Sequence, residues 1–278
     1  MTPTPAFMTE AAAVTSTVAP APTPEFTPTA KPLPEKLGLA PEDWKNWPVL
    51  PIVTQRAREI YQCGQELGND PHAFSVFGDC RSNPQTFLGE YETNPDMLIH
   101  LPPTLQETVF NFAGSLNRYS PTVRAGTAPA GLLWPEWHMN QYGCQPVETP
   151  VGCELRIHNP SIVIVNLGLD WGPRDQEYLR AVLQQLMNAG VVPILVTKAD
   201  NWEGDDHVNF EIAALAAEFD LPLWNFWLAV DDLPNRGLTV PVGQEWMGEI
   251  VLTDEAFMRY HLTGLQALEV VWRAVAGR

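Results

Sequence analysis

The sequence has no long apolar run. No stretch of the 278 residues approaches the roughly eighteen consecutive apolar residues that a membrane-spanning helix needs. The first residues also lack the basic start and apolar middle of a secretory signal peptide. The sequence as given therefore predicts no membrane insertion.

Basic residues are scarce. Sixteen Lys and Arg residues stand against 33 Asp and Glu residues, which gives a formal net charge of −17. A field of this sign repels phosphate backbones and anionic lipid surfaces, so we expect no nucleic-acid partner and no anionic polymer as substrate. Small neutral esters and sugars are compatible with it.

Cysteine is also scarce, with four residues. Cys144 and Cys153 bracket a short loop with two prolines, which favours a disulfide between them, the alternative being two free, partly buried thiols. Cys63 lies on a predicted helix, and Cys80 lies just past a predicted strand. This arrangement would hold their Cα atoms farther apart than the roughly 7 Å that a disulfide allows. We therefore expect Cys63 in the core and Cys80 as a free thiol or a small buried residue.

Metal-ligand patterns are missing as well. The six histidines show no ligand spacing, so the sequence predicts no metal and no cofactor. Asp205 and Asp206 beside Glu203 could hold calcium, but three acidic residues in a loop are more typical of a solvated surface. Trp134 and Trp137 could line a sugar or acyl platform, although loop packing explains them equally well.

The N-terminal segment is rich in proline and threonine. Residues 1–34 contain eight prolines, eight threonines and three charged residues, a composition that stays extended and buries no core. We interpret residues 1–40 as a disordered spacer and residues 41–278 as one domain. Spacers of this kind tether domains to cell surfaces, so an extracellular or cell-surface location with an upstream signal or lipid anchor is one hypothesis. An ordinary flexible tail is the other.

The first part of the domain predicts two helices and a strand. Thr54 can cap a helix that runs to Leu67, because a Gly-Asn-Asp-Pro sequence follows. Residues 73–78 form an apolar run typical of a buried parallel strand. A second helix is predicted from Thr104, and residues 115–160 are predicted to be largely loop.

Strands and helices then alternate. Strands are predicted at 161–167, 191–197 and 222–227, with helices at 174–188 and 207–219 between them. A final amphipathic helix is predicted at 262–276. This order is typical of parallel βαβ units, so the fold class is α/β, with a doubly wound, flavodoxin-like sheet and helices on both faces.

Ligands bind beyond the carboxyl ends of such strands. The residues predicted there are Gly78, Asp79 and Cys80, then Gly126, then Gly168 to Trp171, and finally His261 ahead of the last helix. Over about residues 52–278, their order and content resemble the SGNH or GDSL hydrolase family, named for a Ser, a Gly, an Asn and a His in four blocks. The family fold is a three-layer α/β sandwich, in agreement with the alternating pattern.

The resemblance implies a role for each block. Cys80 stands in the place of the nucleophilic Ser, beside Asp79, and His261 stands in the place of the general base. The backbone amides of Cys80 and Gly126 would donate to the oxyanion. Gly168 is the glycine retained from the third block.

Two positions depart from the family pattern. Asp170 replaces an Asn that donates to the oxyanion, and loss of one such donor costs on the order of 2.7–4 kcal/mol. Efficient catalysis would then need a protonated Asp170 or another donor. Met258 stands where the family has the Asp that orients the base. Asp254, seven residues before His261, is the remaining candidate, but its position is also typical of a helix start.

Two functions follow from these residues. One is an esterase or acyl hydrolase acting on a small-molecule or carbohydrate-linked ester. The alternative is a catalytically inactive relative that binds a glycan or another cell-surface ligand in the same cleft. Asp170 and Met258 favour the inactive relative, whereas Cys80 with its preceding Gly-Asp pair and His261 favour the enzyme. The sequence leaves the oligomeric state open.

Overall fold

A parallel sheet forms the centre of the computed structural model, which describes Met1 and residues 32–168, 171–240 and 251–278. Its strands lie in the order β1-β2-β3-β4, with the bounds Asp70–Gly78, Pro160–Asn166, Val192–Val196 and Leu223–Trp224. An isolated parallel bridge between Gly78 and Val123 places one more segment on the free side of β1. In chain order the five segments therefore lie as 2-1-3-4-5, the flavodoxin-like arrangement.

The strands form where apolar runs can be buried on both faces. Every residue of β3 is buried, and so are the first six of the seven residues of β2. Such continuous burial is typical of a parallel sheet covered by helices. β4 is shorter than predicted, because Asn225 caps a short helix by accepting a hydrogen bond from Leu228 N.

Helices flank the sheet and give the chain three layers, as predicted. Their bounds are α1 Gln55–Leu67, α2 Glu90–Thr93, α3 Pro95–Ile99, α4 Pro103–Asn111, α5 Pro129–Leu132, α6 Pro150–Ile157, α7 Asp175–Asn188, α8 His207–Phe219, α9 Phe226–Ala229 and α10 Asp254–Ala276. α10 packs against α1 and α4, whereas α7 packs against α5 and α8. Among the described residues, none of the helices has the length and apolar character to cross a membrane.

Local signals set several helix ends where they were predicted. Thr54 caps α1 by accepting a hydrogen bond from Ala57 N, and Gly68 ends the helix in the left-handed region at a φ of 89°. α8 has the predicted bounds. α4 begins one residue before Thr104, with Pro103 as its first residue.

The final helix begins eight residues earlier than predicted. Thr253 caps α10 by accepting a hydrogen bond from Ala256 N, and Asp254 and Glu255 occupy its first turn. His261 therefore lies inside α10 and not ahead of it. The apolar periodicity marked the part of the helix that covers the sheet but not its capped start. A two-stranded antiparallel ribbon, β5 (Leu238–Thr239) and β6 (Val251–Leu252), precedes the helix.

The ordered domain also begins earlier than predicted. Residues 32–40, assigned to the spacer, belong to the compact unit that starts at Pro32. Leu37 is buried and its N–H donates to Asp220 Oδ1 at 2.8 Å, while Gln55 N donates to Pro34 O. Leu33 and Leu39 also pack against the core, so apolar side chains anchor this segment. The spacer prediction for residues 2–31 lies outside the described residues.

The excursion between β1 and β2 is held by a disulfide. Cys144 and Cys153 are bonded, with their Cα atoms 5.3 Å apart, so the predicted pairing is confirmed. The excursion is less irregular than predicted, because Thr149 caps α6 by accepting a hydrogen bond from Gly152 N. Cys80 is a free, exposed thiol. The prediction for Cys63 is wrong: its side chain is exposed, because the buried residues of α1 lie on another face of the helix.

Candidate functional site

The carboxyl ends of β1, β2 and β3 surround a small cavity of about 20 Å³. This volume holds roughly one water-sized group. We call it the edge cavity. Its lining residues are Asp79, Arg81, Asn166, Gly168, Thr197, Lys198, Phe226 and Tyr260. Parallel sheets bind ligands at this edge, so the edge cavity is the candidate site.

Tight contacts of the backbone shape the turn that follows β1. A Cβ at Gly78 would lie 2.0 Å from Ser82 Oγ and 2.7 Å from Asn166 O, so only glycine fits where the chain leaves β1. Asp79 then accepts a hydrogen bond from Arg81 N at 2.8 Å and starts a one-turn 3₁₀ helix, Cys80–Ser82. This turn holds Cys80 at the strand end.

The surroundings of Cys80 disfavour the thiolate form of its side chain. Burial of one side of the side chain raises the pKa of Cys80, and the Asp79 carboxylate raises this pKa further, while Arg81 opposes both effects. A nucleophilic cysteine requires a shift in the other direction. Among the described residues, Cys80 Sγ and His261 are not joined by a hydrogen bond.

His261 is engaged elsewhere. Its Nε2 donates to the Thr86 carbonyl at 3.2 Å, and its ring centroid lies 4.7 Å from that of Phe257. Burial lowers the pKa of His261, and the hydrogen bond to Thr86 opposes that shift. The neighbouring Tyr260 reaches the edge cavity in its place, because the two side chains leave α10 in different directions.

The structure does not bring Asp254 to His261. Asp254 is the first residue of α10, and seven helical residues correspond to about 10 Å along the axis. That separation is several times a hydrogen-bond length. Met258 is 65% exposed and faces away from the core.

Of the three residues predicted to lie around the oxyanion, the structure describes Gly126 and Gly168 but not Asp170. Gly126 lies two residues after Arg124, whose N–H donates to Gly78 O, so it is close to the end of β1. Gly168 follows β2 and lies against the stem of Lys198; a Cβ there would be 3.1 Å from Lys198 Cβ. Leu169 and Asp170 lie outside the described residues, so the role of Asp170 stays a prediction.

A buried ionic cluster follows β3. Lys198 Nζ donates to Asp200 Oδ1 at 2.9 Å and to Glu203 Oε2 at 2.5 Å, and all three side chains are at least 90% buried. Arg81 Nη1 lies 3.6 Å from Asp200 Oδ2 and joins this cluster to the turn Cys80–Ser82. We call Arg81, Lys198, Asp200 and Glu203 the ionic cluster.

Sequence reasoning missed this cluster, although a signal was present. Lys198 and Asp200 come directly after the predicted strand 191–197, so the rule applied to the other strand ends applies to them too. Glu203 was considered together with Asp205 and Asp206 as a calcium site. Within the described ranges, no three His, Cys, Asp or Glu side chains come close enough to hold a metal ion.

Hydrogen bonds fix most of the polar groups around the edge cavity. Asn166 Nδ2 donates to Ser82 Oγ at 3.0 Å and to Tyr260 Oη at 2.6 Å, and Tyr260 Oη donates to Arg81 O at 3.3 Å. The side chains of Asn166 and Lys198 can each form one more hydrogen bond. Asn166 Oδ1 accepts no hydrogen bond from the described residues, and Lys198 Nζ uses two of its three donors.

The sequence matches no protein-family model, and no curated protein is significantly similar to it. The class that the fold defines is a flavodoxin-like α/β domain, a fold that carries many unrelated functions.

Proposed function

We propose that the chain is an SGNH-type domain that binds a neutral, hydroxyl-bearing ligand, a carbohydrate, at the edge cavity and does not transfer acyl groups. The observation that carries the proposal is that Lys198 and Asn166 both line a cavity of about 20 Å³, Lys198 with an unused donor and Asn166 with an unused acceptor. A hydroxyl both donates and accepts, so one hydroxyl can use both groups. A space of this size suits a single such oxygen.

The charges around the edge cavity also support a neutral ligand. Lys198 is paired with two carboxylates, and Asp200 faces Arg81 as well. Within the ionic cluster, the two positive and two negative charges balance. An anionic ligand would in addition face the net charge of −17.

Three features favour binding over catalysis. The pKa of Cys80 is raised, His261 donates to a backbone carbonyl, and Asp254 lies two helical turns from His261. A nucleophile, its base and an orienting acid must form a chain of hydrogen bonds to act together. The described residues do not form that chain.

The test is equilibrium binding to an array of neutral glycans. Gly168→Ala pushes against the stem of Lys198 and narrows the edge cavity without removing a hydrogen-bonding side chain. We expect Gly168→Ala to weaken binding by about tenfold, the loss of roughly one good hydrogen bond, and Cys80→Ala to bind as the wild type does.

The matched control is Gly152→Ala in α6. The nearest atom to its new Cβ would be Thr149 Oγ1 at 3.4 Å, and binding should not change. Equal affinity of Gly168→Ala and wild type, or binding to no neutral glycan, would overturn the proposal.

A second candidate is acyl transfer by Cys80. The observation in its favour is a free, exposed thiol directly past β1, at the position expected for a nucleophile. Hydrolysis of a short-chain aryl ester by wild type, Cys80→Ala and Asp170→Asn separates the two functions. Turnover that disappears in Cys80→Ala supports acyl transfer, whereas no turnover above the buffer rate in wild type supports binding alone.

A further inference from the structure

We propose that the ligand is an extended carbohydrate chain that crosses the strand ends, with Trp202 and Trp134 as outer stacking positions on either side of the edge cavity. This inference rests on the proposed function and adds the length of the ligand to it. Trp202 lies on the loop that follows β3, and Trp134 lies in the excursion that follows β1. Both are exposed, with 71% and 54% of their surface open to solvent.

Trp202 projects from a loop that is held firmly. Asn209 brackets the start of this loop, because its side chain accepts from Lys198 N at 2.8 Å and donates to Lys198 O at 2.9 Å. Asp200 Oδ1 accepts from Lys198 Nζ and from the backbone N–H of Trp202, so the Trp202 backbone is tied to the ionic cluster. A fixed loop that exposes a large aromatic ring offers contact area at little entropic cost.

Trp134 is connected through its neighbour Trp137 and through Arg124 to the end of β1. Its ring centroid is 6.3 Å from that of Trp137, which is fixed in turn. Trp137 Nε1 donates to Thr127 Oγ1 at 3.0 Å, and the Arg124 guanidinium lies 4.7 Å from the Trp137 ring. Arg124 N donates to Gly78 O, which places this group beside the end of β1.

The sheet sets the distance between the starts of the two loops that carry the tryptophans. Trp134 follows the segment that pairs with β1, and Trp202 follows β3, so the two loops start three strand spacings apart. Three spacings of about 4.8 Å amount to roughly 14 Å. One sugar ring cannot contact both sides, but a chain of several rings can. Aromatic faces with polar groups between them suit rings whose faces are apolar and whose edges carry hydroxyls.

The experiment measures affinity against chain length. Neutral glucose-based and N-acetylglucosamine-based chains of one to six residues are titrated into the full chain and into Trp202→Ala and Trp134→Ala. We expect affinity to rise with length, and each variant to lose about fivefold for six residues while binding single residues as the wild type does.

Phe110→Ala is the matched control. Phe110 is 64% exposed but ends α4 beside Asn111, whose side chain donates to Pro71 O near the amino end of β1. It should bind all lengths as the wild type does. If the affinity does not depend on the length of the glycan, or if neither tryptophan variant changes it, the proposal of an extended ligand is wrong. The proposed hydroxyl site in the edge cavity is not affected by that result. Binding to none of these chains and to no other neutral glycan would remove the proposed function as well.

Discussion

Individual residues decide what the carboxyl edge can do. Cys80 occupies a nucleophile's position, but a thiol becomes reactive through its surroundings and not through its position. Its neighbour Asp79 is a carboxylate that caps the following turn, so the same residue that positions Cys80 also raises the pKa of its thiol. Lys198, by contrast, is held by two carboxylates and faces the edge cavity.

The reactivity of the Cys80 thiol should depend strongly on pH. Iodoacetamide should alkylate Cys80 slowly at neutral pH, with a rate that rises on the alkaline side of the ordinary cysteine range, because the thiolate reacts. Asp79→Asn removes a negative charge and should therefore speed the neutral-pH reaction several-fold. Alkylation rates across pH, read by mass spectrometry, check this. A rate already at its plateau at pH 7 would mean that the thiolate is stabilised after all.

Lys198 should contribute strongly to the stability of the fold, because it is buried between two carboxylates. Lys198→Met leaves Glu203 buried without a cation and leaves Asp200 with Arg81 alone, so the free energy of unfolding should fall by about 3–5 kcal/mol. Urea denaturation measures this loss. Arg174→Met is the control, since it breaks an exposed pair with Glu177 and should change stability little. Similar losses in both variants would contradict the importance of burial.

At the scale of elements, helix ends and loops set the geometry of the site. The capped start of α10 turns Tyr260 towards the edge cavity and His261 towards Thr86. The disulfide fixes the excursion that carries Trp134, with help from Arg156, which donates to both oxygens of Glu148. Local capping therefore separates two neighbouring side chains into different environments.

Buried histidines should make the fold sensitive to acid. Burial lowers the pKa of both His158 and His261 in the folded state. The unfolded chain then binds protons first, so the free energy of unfolding should fall as pH drops below about 6.5. His261→Gln keeps a donor for Thr86 and should make this fall shallower. Denaturation at pH 7.5 and pH 5.5 tests it; an identical fall in the variant would show that His261 contributes nothing.

The disulfide should contribute to stability through its short loop. Replacing both Cys144 and Cys153 by Ala should cost about 2–3 kcal/mol, as a loop of this length predicts. Thermal unfolding with and without a reducing agent provides the measurement. The reducing agent should lower the melting temperature of the wild type and leave that of the double variant where it is.

For the whole molecule, the sequence predicts the fold well because periodicity and strand order are local signals. The buried strands, the helices between them and the disulfide follow from apolar runs, caps and loop length. The edge cavity does not follow, because it depends on which side chains from distant strands meet. Asn166, Lys198 and Tyr260 are ordinary residues in the sequence and meet only through the parallel register and the true start of α10.

The same reasoning explains why His261 was wrongly predicted to lie ahead of the last helix. A histidine ahead of a helix and one inside it differ by a cap at Thr253, eight residues away. The family resemblance supplied a role for the residue but not its direction. Inside a helix the phase sets the direction of each side chain, so the start of α10 at Asp254 places His261 under that constraint.

The most direct test of the account is a crystal structure with the shortest neutral glycan that binds. The account predicts one sugar hydroxyl in the edge cavity, within about 3.2 Å of both Lys198 Nζ and Asn166 Oδ1, and Cys80 unmodified. A glycan bound away from the strand ends would contradict it. So would an acyl group on Cys80 Sγ in crystals soaked with an ester.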